Sequence, residues 1–418
     1  MKYLQMDRYQ KPILTLMLAL VLALPVTACK PAEESPATGQ DSAEEASGTV
    51  APAAGLPQSY RQVDLAEIGS EADLQSRCEA ETAAFAEGIR ALEAFSGAPA
   101  VENFLQPLNT VVVNATNMSY IAGTLAAVHP DAALRTAADA CTQALTGVYS
   151  DFSLSRLIFD QLQAIDINAV DAATRRFLEK LLLSFRLSGV DKDEAIRARI
   201  KQLNDEITAV GQEFDNNIRD AVAYLELQSA GQLAGLPEDY IAAHPPGEDG
   251  MIRISTQYPD LFPFMSYSTS DELRRELSVL SSNRAYPENE ALLLQLLTLR
   301  HELAQLLGFE NYAQRATADK MVGSPQRVES FLTELAGYTT DAQQREYDML
   351  LARLRQDQPG AERVQPWQST YLMEKVNQEQ FQVDSREVRQ YFNYDASRNG
   401  LIALTEELFG VQFRPWPL

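Results

Sequence analysis

Histidine is close to absent from this chain: His129, His244 and His301 are the only three in 418 residues. No two of them stand one helical turn apart, which excludes a metal centre built on a pair of histidines from one helix. Cysteine is as scarce, with only Cys29, Cys78 and Cys141, so neither a four-thiolate zinc site nor a disulfide-dense scaffold can be assembled. There is no G-x-S-x-G elbow, no Walker loop, no dinucleotide fingerprint, and no histidine beside a cysteine in a papain-like context. Positive charge is short as well. Lys and Arg number 35 against 58 Asp and Glu, a formal charge of -23, and no basic stripe appears, which argues against nucleic acid as a partner. The acidic pairs Glu33-Glu34, Glu44-Glu45 and Glu406-Glu407 read as solvated charge in a polar leader or on a helix flank.

What remains is a chain that is 45% hydrophobic and 22% charged, enough to bury one large core or two smaller ones. Its start carries an address. Lys2, Arg8 and Lys11 precede the apolar run from Ile13 to Pro25, and Val26, Thr27 and Ala28 are the small residues a signal peptidase prefers. The run falls short of the roughly 20 apolar residues of a comfortable membrane span. Cys29 follows, and V-T-A-C resembles the bacterial lipobox, which implies lipidation of Cys29 and anchoring to the lipid bilayer. Lys30 at the next position, in place of aspartate, implies sorting to the outer membrane, facing the periplasm. From Lys30 to about Pro57 the composition is Pro, Ala, Glu, Ser, Gly and Thr, too poor in large apolar residues to offset ordering, which predicts a flexible tether.

Beyond the tether the chain reads as helix after helix, a mainly α fold. Three-to-four spacing predicts helices near 64–95, 100–128, 131–149, 154–163, 171–187, 192–226, 271–284, 288–307, 325–355, 370–378, 385–391 and 398–409. The most regular stripe is Ile196, Ile200, Leu203, Ile207, Val210, Phe214 and Ile218; it fits a helical hairpin within one chain or a coiled-coil dimer seam. Cys78 shares a face with Leu74, Phe85, Ile89 and Leu92, and Cys141 with Leu134, Leu145 and Val148. Both faces are expected to be buried, so the pair is either a disulfide clamping two helices or two buried thiols. Asn114 and Asn117 match a glycosylation pattern and are expected on a helix surface. Only Met251 to Tyr267 resists the helical reading: Ile252 and Ile254 alternate, and Pro259 and Pro263 interrupt, which predicts a short strand and an extended crossing, the minor β segment.

Leu299 to Met321 looks like an active site at first reading. His301 and Glu302 begin what could be a zinc-protease H-E-x-x-H helix, but the fifth position is Gln305, and a neutral amide is a poor zinc ligand. Helical spacing supplies a plainer reason for the segment: Leu292, Leu293, Leu296, Leu299, Leu303, Leu306 and Leu307 form one broad apolar face. Gly308 then closes the helix in the left-handed conformation, with Phe309 packing back on the last turn.

The same block, with RRELSVLSSNRA (Arg274 to Ala285), KMVGSPQRVESFL (Lys320 to Leu332) and YLMEKVNQEQFQVDSREVRQYF (Tyr371 to Phe392), resembles the thimet oligopeptidase family, oligopeptidase A and dipeptidyl carboxypeptidase among its members. FLEKLLLSFRLSGVD (Phe177 to Asp191) and IRARIKQLNDEITAVGQEFDNNI (Ile196 to Ile218) fit that family's amino-terminal half, so the resemblance runs from about Cys78 to Phe413. It implies a zincin-type oligopeptidase body, zinc as cofactor in the intact family, short peptides as partners, and hydrolysis inside a channel between two helical halves. Aromatics on the crossing segment, Tyr258, Phe262, Phe264 and Tyr267, become candidates for lining that channel, with core packing as the alternative. The resemblance places no catalytic and no metal-binding residue on this sequence, so no zinc is expected to be bound by it. In the family the zinc helix comes after the stretch matched by Val411 to Pro415, so the chain is expected to stop short of its own chemistry and to be inactive alone. The expected organisation is a signal peptide at 1–28, lipidated Cys29 and tether at 29–59, a helical domain at 60–265 and the beginning of a catalytic domain at 266–418. The competing expectation is a non-enzymatic helical lipoprotein that holds peptides or a partner protein.

Overall fold

The structure, a computed structural model, describes residues 68–414. Cys29 and the expected signal peptide and tether lie outside the described residues. Those residues are 73% helical, with fifteen α-helices and one two-stranded sheet. Local chemistry starts most of the helices. Ser70, Asp131, Ser155, Asp171, Asp193, Ser270, Asn311 and Ser324 each stand at an N-cap and accept a backbone N–H from the first turn. Each such bond satisfies a donor that the helix itself leaves unpaired.

The first core is enclosed by α1 (Glu71–Glu93), α2 (Gln106–Val128, entered through a π turn at Val101–Leu105), α3 (Ala132–Ser153), α4 (Arg156–Ala164) and α5 (Ala172–Ser188). Helices α1, α2 and α3 pack pairwise, and α4 lies on α5. Phe104, Phe152 and Phe185 are the largest fully buried side chains there, and Phe152 meets Phe185 edge-on at 5.0 Å between ring centroids. Cys78 on α1 and Cys141 on α3 face one another in this core with their sulfurs 2.10 Å apart, a disulfide. The face of α2 that carries Asn114 is turned inward, so Asn114 is buried, contrary to its expected surface position. By length and composition Val101–Val128 could cross a bilayer, but Leu108, Met118 and Ala122 are buried against α1 and α3, as on a core helix.

The regular isoleucine stripe forms α6 (Glu194–Asp220), which packs on α3 and on α10 (Glu288–Leu307). Its partner is therefore found within the chain. Ile200, Leu203 and Val210 meet Leu296, Leu299, Leu303 and Leu307 in a second cluster. Gly189, at φ +95°, ends α5 where a Cβ would lie 2.6 Å from Ile200 Cδ1 and 2.9 Å from Leu307 Cδ2. Only glycine serves there, on both conformational and steric grounds.

Between α6 and α10 the chain departs from the helical expectation. Strand β1 (Tyr224–Leu227) pairs antiparallel with β2 (Ile252–Ser255), Leu225 opposite Ile254 and Leu227 opposite Ile252. These four side chains are buried, while Glu226 and Arg253, also opposite one another, form an ion pair on the outer face. Helices α7 (Glu238–Ala243), α8 (Tyr258–Tyr267) and α9 (Asp271–Ser282) cover the inner face, with Tyr240, Leu261, Phe264 and Leu277 completing the cluster. The extended crossing expected after β2 is thus a helix. Pro259 sits in the first turn, where its missing N–H has no partner to lose, and Pro263 is accommodated inside a helix of only ten residues. The domain boundary expected at 265/266 falls within α8.

After α10 come α11 (Tyr312–Thr317), the long α12 (Pro325–Asp357), α13 (Ser369–Gln380), α14 (Ser385–Arg389) and α15 (Tyr394–Phe409). Only the far end of α12 is anchored, through Leu351 and Leu354 against Leu372 of α13. α15 buries no residue.

Candidate functional site

The helix that resembles a zinc helix is α10, and its polar residues are used for structure. His301 is exposed. Glu302 receives a two-pronged bond from Arg199 of α6, Nε to Oε1 at 2.7 Å and Nη2 to Oε2 at 2.8 Å, which fastens the outer edges of the two helices. Those bonds hold the Glu302 carboxyl below its ordinary value, and Glu302, joined by Glu206, raises the Arg199 guanidinium above its own. Gln305 donates from Nε2 to the carbonyls of Phe309 and Glu310, closing the carboxy-terminal end. Gly308 takes φ +91°, and Phe309 N–H returns to the Ala304 carbonyl at 2.9 Å, the expected left-handed closure. The leucine face is narrower than expected, since Leu293 points outward with Leu294 and Leu297.

Among the described residues no group of three or more His, Cys, Asp or Glu side chains could hold a metal ion. A zinc site does not fit the side chains around His301: its neighbour Glu302 is already neutralised by Arg199, and no second imidazole faces it.

A different trio does meet. His244 Nε2 lies 3.1 Å from Asp260 Oδ1, and Ser255 donates to Asp260 Oδ2 from both its hydroxyl, at 2.5 Å, and its amide, at 3.1 Å. The serine hydroxyl is bonded to the carboxylate instead of to the imidazole, so no base is placed to activate it, and this is not a hydrolytic triad. Burial works against ionisation of Asp260, but the Ser255 bonds and His244 outweigh it and hold the carboxyl below its ordinary value. Nothing in the spacing of these three residues announces their meeting.

The four aromatics of the crossing segment separate. Tyr258 and Phe262, one turn apart on α8, are 66% and 56% exposed and stack on one another at 4.9 Å. Phe264 is fully buried in the sheet cluster, where packing is its use. Tyr267 is half-buried, with Arg386 above its ring, and burial followed by Glu374 and Asp384 raises its phenol.

Two of the blocks that carry the family resemblance are brought together at the start of α9. The buried Arg274 guanidinium lies 4.0 Å from the centroid of the Tyr371 ring and donates to Asp271 Oδ1 at 2.8 Å. Asp271 also receives Trp367 Nε1 at 3.3 Å and Gln368 Nε2 at 3.0 Å, so one carboxylate at the helix amino terminus gathers three donors. Burial pushes the Arg274 guanidinium down, and Asp271 and Tyr371 oppose that shift.

These segments are similar in sequence to known peptidases. Residues 264–417 match the profile described as Peptidase family M3. Oligopeptidase A of Salmonella typhimurium is 30% identical over 257 residues, 58% of this chain and 38% of that protein. Saccharolysin of Saccharomyces cerevisiae is 27% identical over 339 residues, 75% of this chain and 46% of that protein. Dipeptidyl carboxypeptidase of Escherichia coli is 25% identical over 316 residues, 71% of this chain and 46% of that protein. Through these segments the chain is similar to the thimet oligopeptidase family. It spans less than half the length of these relatives.

Proposed function

We propose that this chain forms the amino-terminal helical body and the first part of the catalytic domain of an exported, lipid-anchored zinc oligopeptidase that acts on short peptides. Its match to peptidase family M3 over 264–417 carries the reading. Zinc in such an enzyme activates a water for attack on the peptide carbonyl. The engagement of Glu302, beside His301, by Arg199 in the α6–α10 clamp supports a scaffold role for these residues. By itself the chain does not hydrolyse peptides. Acylation of Cys29 holds it at the outer membrane, facing the periplasm.

The test is zinc content and cleavage of a quenched fluorescent peptide by the purified chain from residue 29, carrying Cys29→Ser. The expected outcome is no stoichiometric zinc and no chelator-sensitive cleavage. Stoichiometric zinc with cleavage abolished by a chelator overturns the reading. The exposed Tyr258–Phe262 pair favours a second reading, a non-enzymatic peptide-holding lipoprotein. Calorimetric titration with short aromatic peptides separates the two: saturable binding lost in Phe262→Ala supports the second.

A further inference from the structure

The bond between Cys78 and Cys141 lies inside the first core, where neither sulfur meets solvent. Cys78 is 6% exposed and Cys141 2%. Around them Leu74 and Phe85 of α1 and Ala137, Ala138 and Leu145 of α3 are buried in the same cluster. The rings of Phe85, Tyr149 and Phe152 pack across the same two helices. A disulfide is broken when a thiolate attacks one of its sulfurs and forms a mixed disulfide, so its lability depends on access to a sulfur. While α1 lies on α3, neither sulfur offers that access. The third cysteine, Cys29, is outside the described residues, so among the described residues no further sulfur stands ready to open the bond from within. The bond also falls where α1 is least held by the chain. The carboxy-terminal end of α1, Glu93, continues through a short link into α2, whereas Cys78 lies in the second turn, toward the other end.

We propose that this disulfide is a redox lock on α1, set while α1 is still apart from α3 and closed to exchange once the first core has packed. The reaction that sets it is thiol–disulfide exchange with a disulfide donor. One cysteine thiolate attacks a donor sulfur and displaces half of the donor as a thiolate. The other cysteine thiolate then attacks the first cysteine's sulfur in the mixed disulfide and displaces the remaining half. The two cysteines together lose two electrons and two protons, and the donor leaves as two thiols. Reduction retraces this path, so a folded core that shuts out a reductant also shuts out a donor. Exchange therefore precedes closure of α1 on α3. The chain acquires the lock only where disulfide donors are at hand during folding. It then keeps the lock among thiols for as long as the core stays shut. The lock depends on the first core alone and stands apart from the peptidase reading.

The test follows reduction of the purified, oxidised chain from residue 29, carrying Cys29→Ser, by millimolar dithiothreitol across a urea series. Newly freed thiols are alkylated at intervals and counted by mass. Without urea, reduction is expected to be slower than in the urea-denatured chain by at least about a hundredfold, and to rise with urea in step with the unfolded fraction. A smaller ratio overturns the proposal. So does a native rate indifferent to urea below the unfolding transition, because the sulfurs would then be reached while α1 stays on α3.

Discussion

The helices of the first core and the helices after α11 are built on the same spacing and end in opposite states. In α1, α2 and α3 the apolar stripe is consumed: Leu74, Leu92, Met118 and Ala138 are fully buried. In the first half of α12 and along α15 the same stripe faces outward, with Phe331, Leu335, Tyr338, Leu401, Leu404 and Leu408 all exposed. Amphipathic periodicity therefore reports that a helix has an apolar face, and says nothing of whether a second element covers it. The lesson applies within one stretch of the chain, because α9 and α13 are tied to each other by Arg274 over the Tyr371 ring, while α12 reaches a core only at Leu351 and Leu354.

The sharpest way to probe that contrast is to remove a ring from each region. Phe152 is packed between Phe85, Tyr149 and Phe185, so Phe152→Ala is expected to cost about 3–5 kcal/mol in urea unfolding. Phe331→Ala on exposed α12 is expected to stay within about 0.5 kcal/mol of the parent. Equal losses would break the comparison. The second probe is the Cys78–Cys141 disulfide, whose 63-residue separation closes a loop through the first core only. Replacing both cysteines with serine is expected to lower stability by about 2–4 kcal/mol. A thiol count on denatured, unreduced protein from residue 29 with Cys29→Ser should read zero; two titratable thiols would remove the bridge from the account.

A smaller effect is expected at the α6–α10 clamp. Glu302→Gln removes the bidentate partner of Arg199 at a partly exposed site, so the loss in urea midpoint at pH 7 should be modest. The folded-state Glu302 carboxyl is held below its ordinary value, so the clamp contributes above the carboxyl's unfolded value and fades as pH falls through the folded one. Parent and variant should therefore converge as the solution is acidified through the range in which the folded-state carboxyl takes up its proton. A gap that widens in acid would contradict the assignment.

Most of this fold was legible from spacing and caps. Leu299, Leu303 and Leu307 followed by Gly308 announced α10 and its closure, and the two cysteine faces announced buried helices. Two features stayed hidden for physical reasons. α8 is hidden because Pro259 and Pro263 break helices in general, yet the first is harmless in a first turn. β1 is hidden because Val222 and Leu225 fall four and seven residues after Ile218, in step with the stripe of α6, and only the pairing of Leu225 and Leu227 with Ile254 and Ile252 distinguishes a strand. Less of the candidate site is legible. Gln305 showed that the H-E-x-x-H reading failed, but the fate of Glu302 depended on Arg199, 103 residues away, which no local pattern reaches. The meeting of His244, Asp260 and Ser255 is hidden in the same way.

The smallest expected change in stability tests the exposed side of the comparison most directly. Leu401, Leu404 and Leu408 lie at three- and four-residue steps along α15, on a helix that buries nothing, so Leu404→Glu with Leu408→Glu should move the urea midpoint by less than about 0.5 kcal/mol. The same substitutions interrupt a contiguous apolar stripe, and such stripes bind dye and drive association in water. Fluorescence of a hydrophobic dye and the apparent mass by light scattering should both fall while stability holds. If the stability drops by several kcal/mol instead, α15 is packed against something in solution, and its exposed face belongs with the first core and not opposite to it.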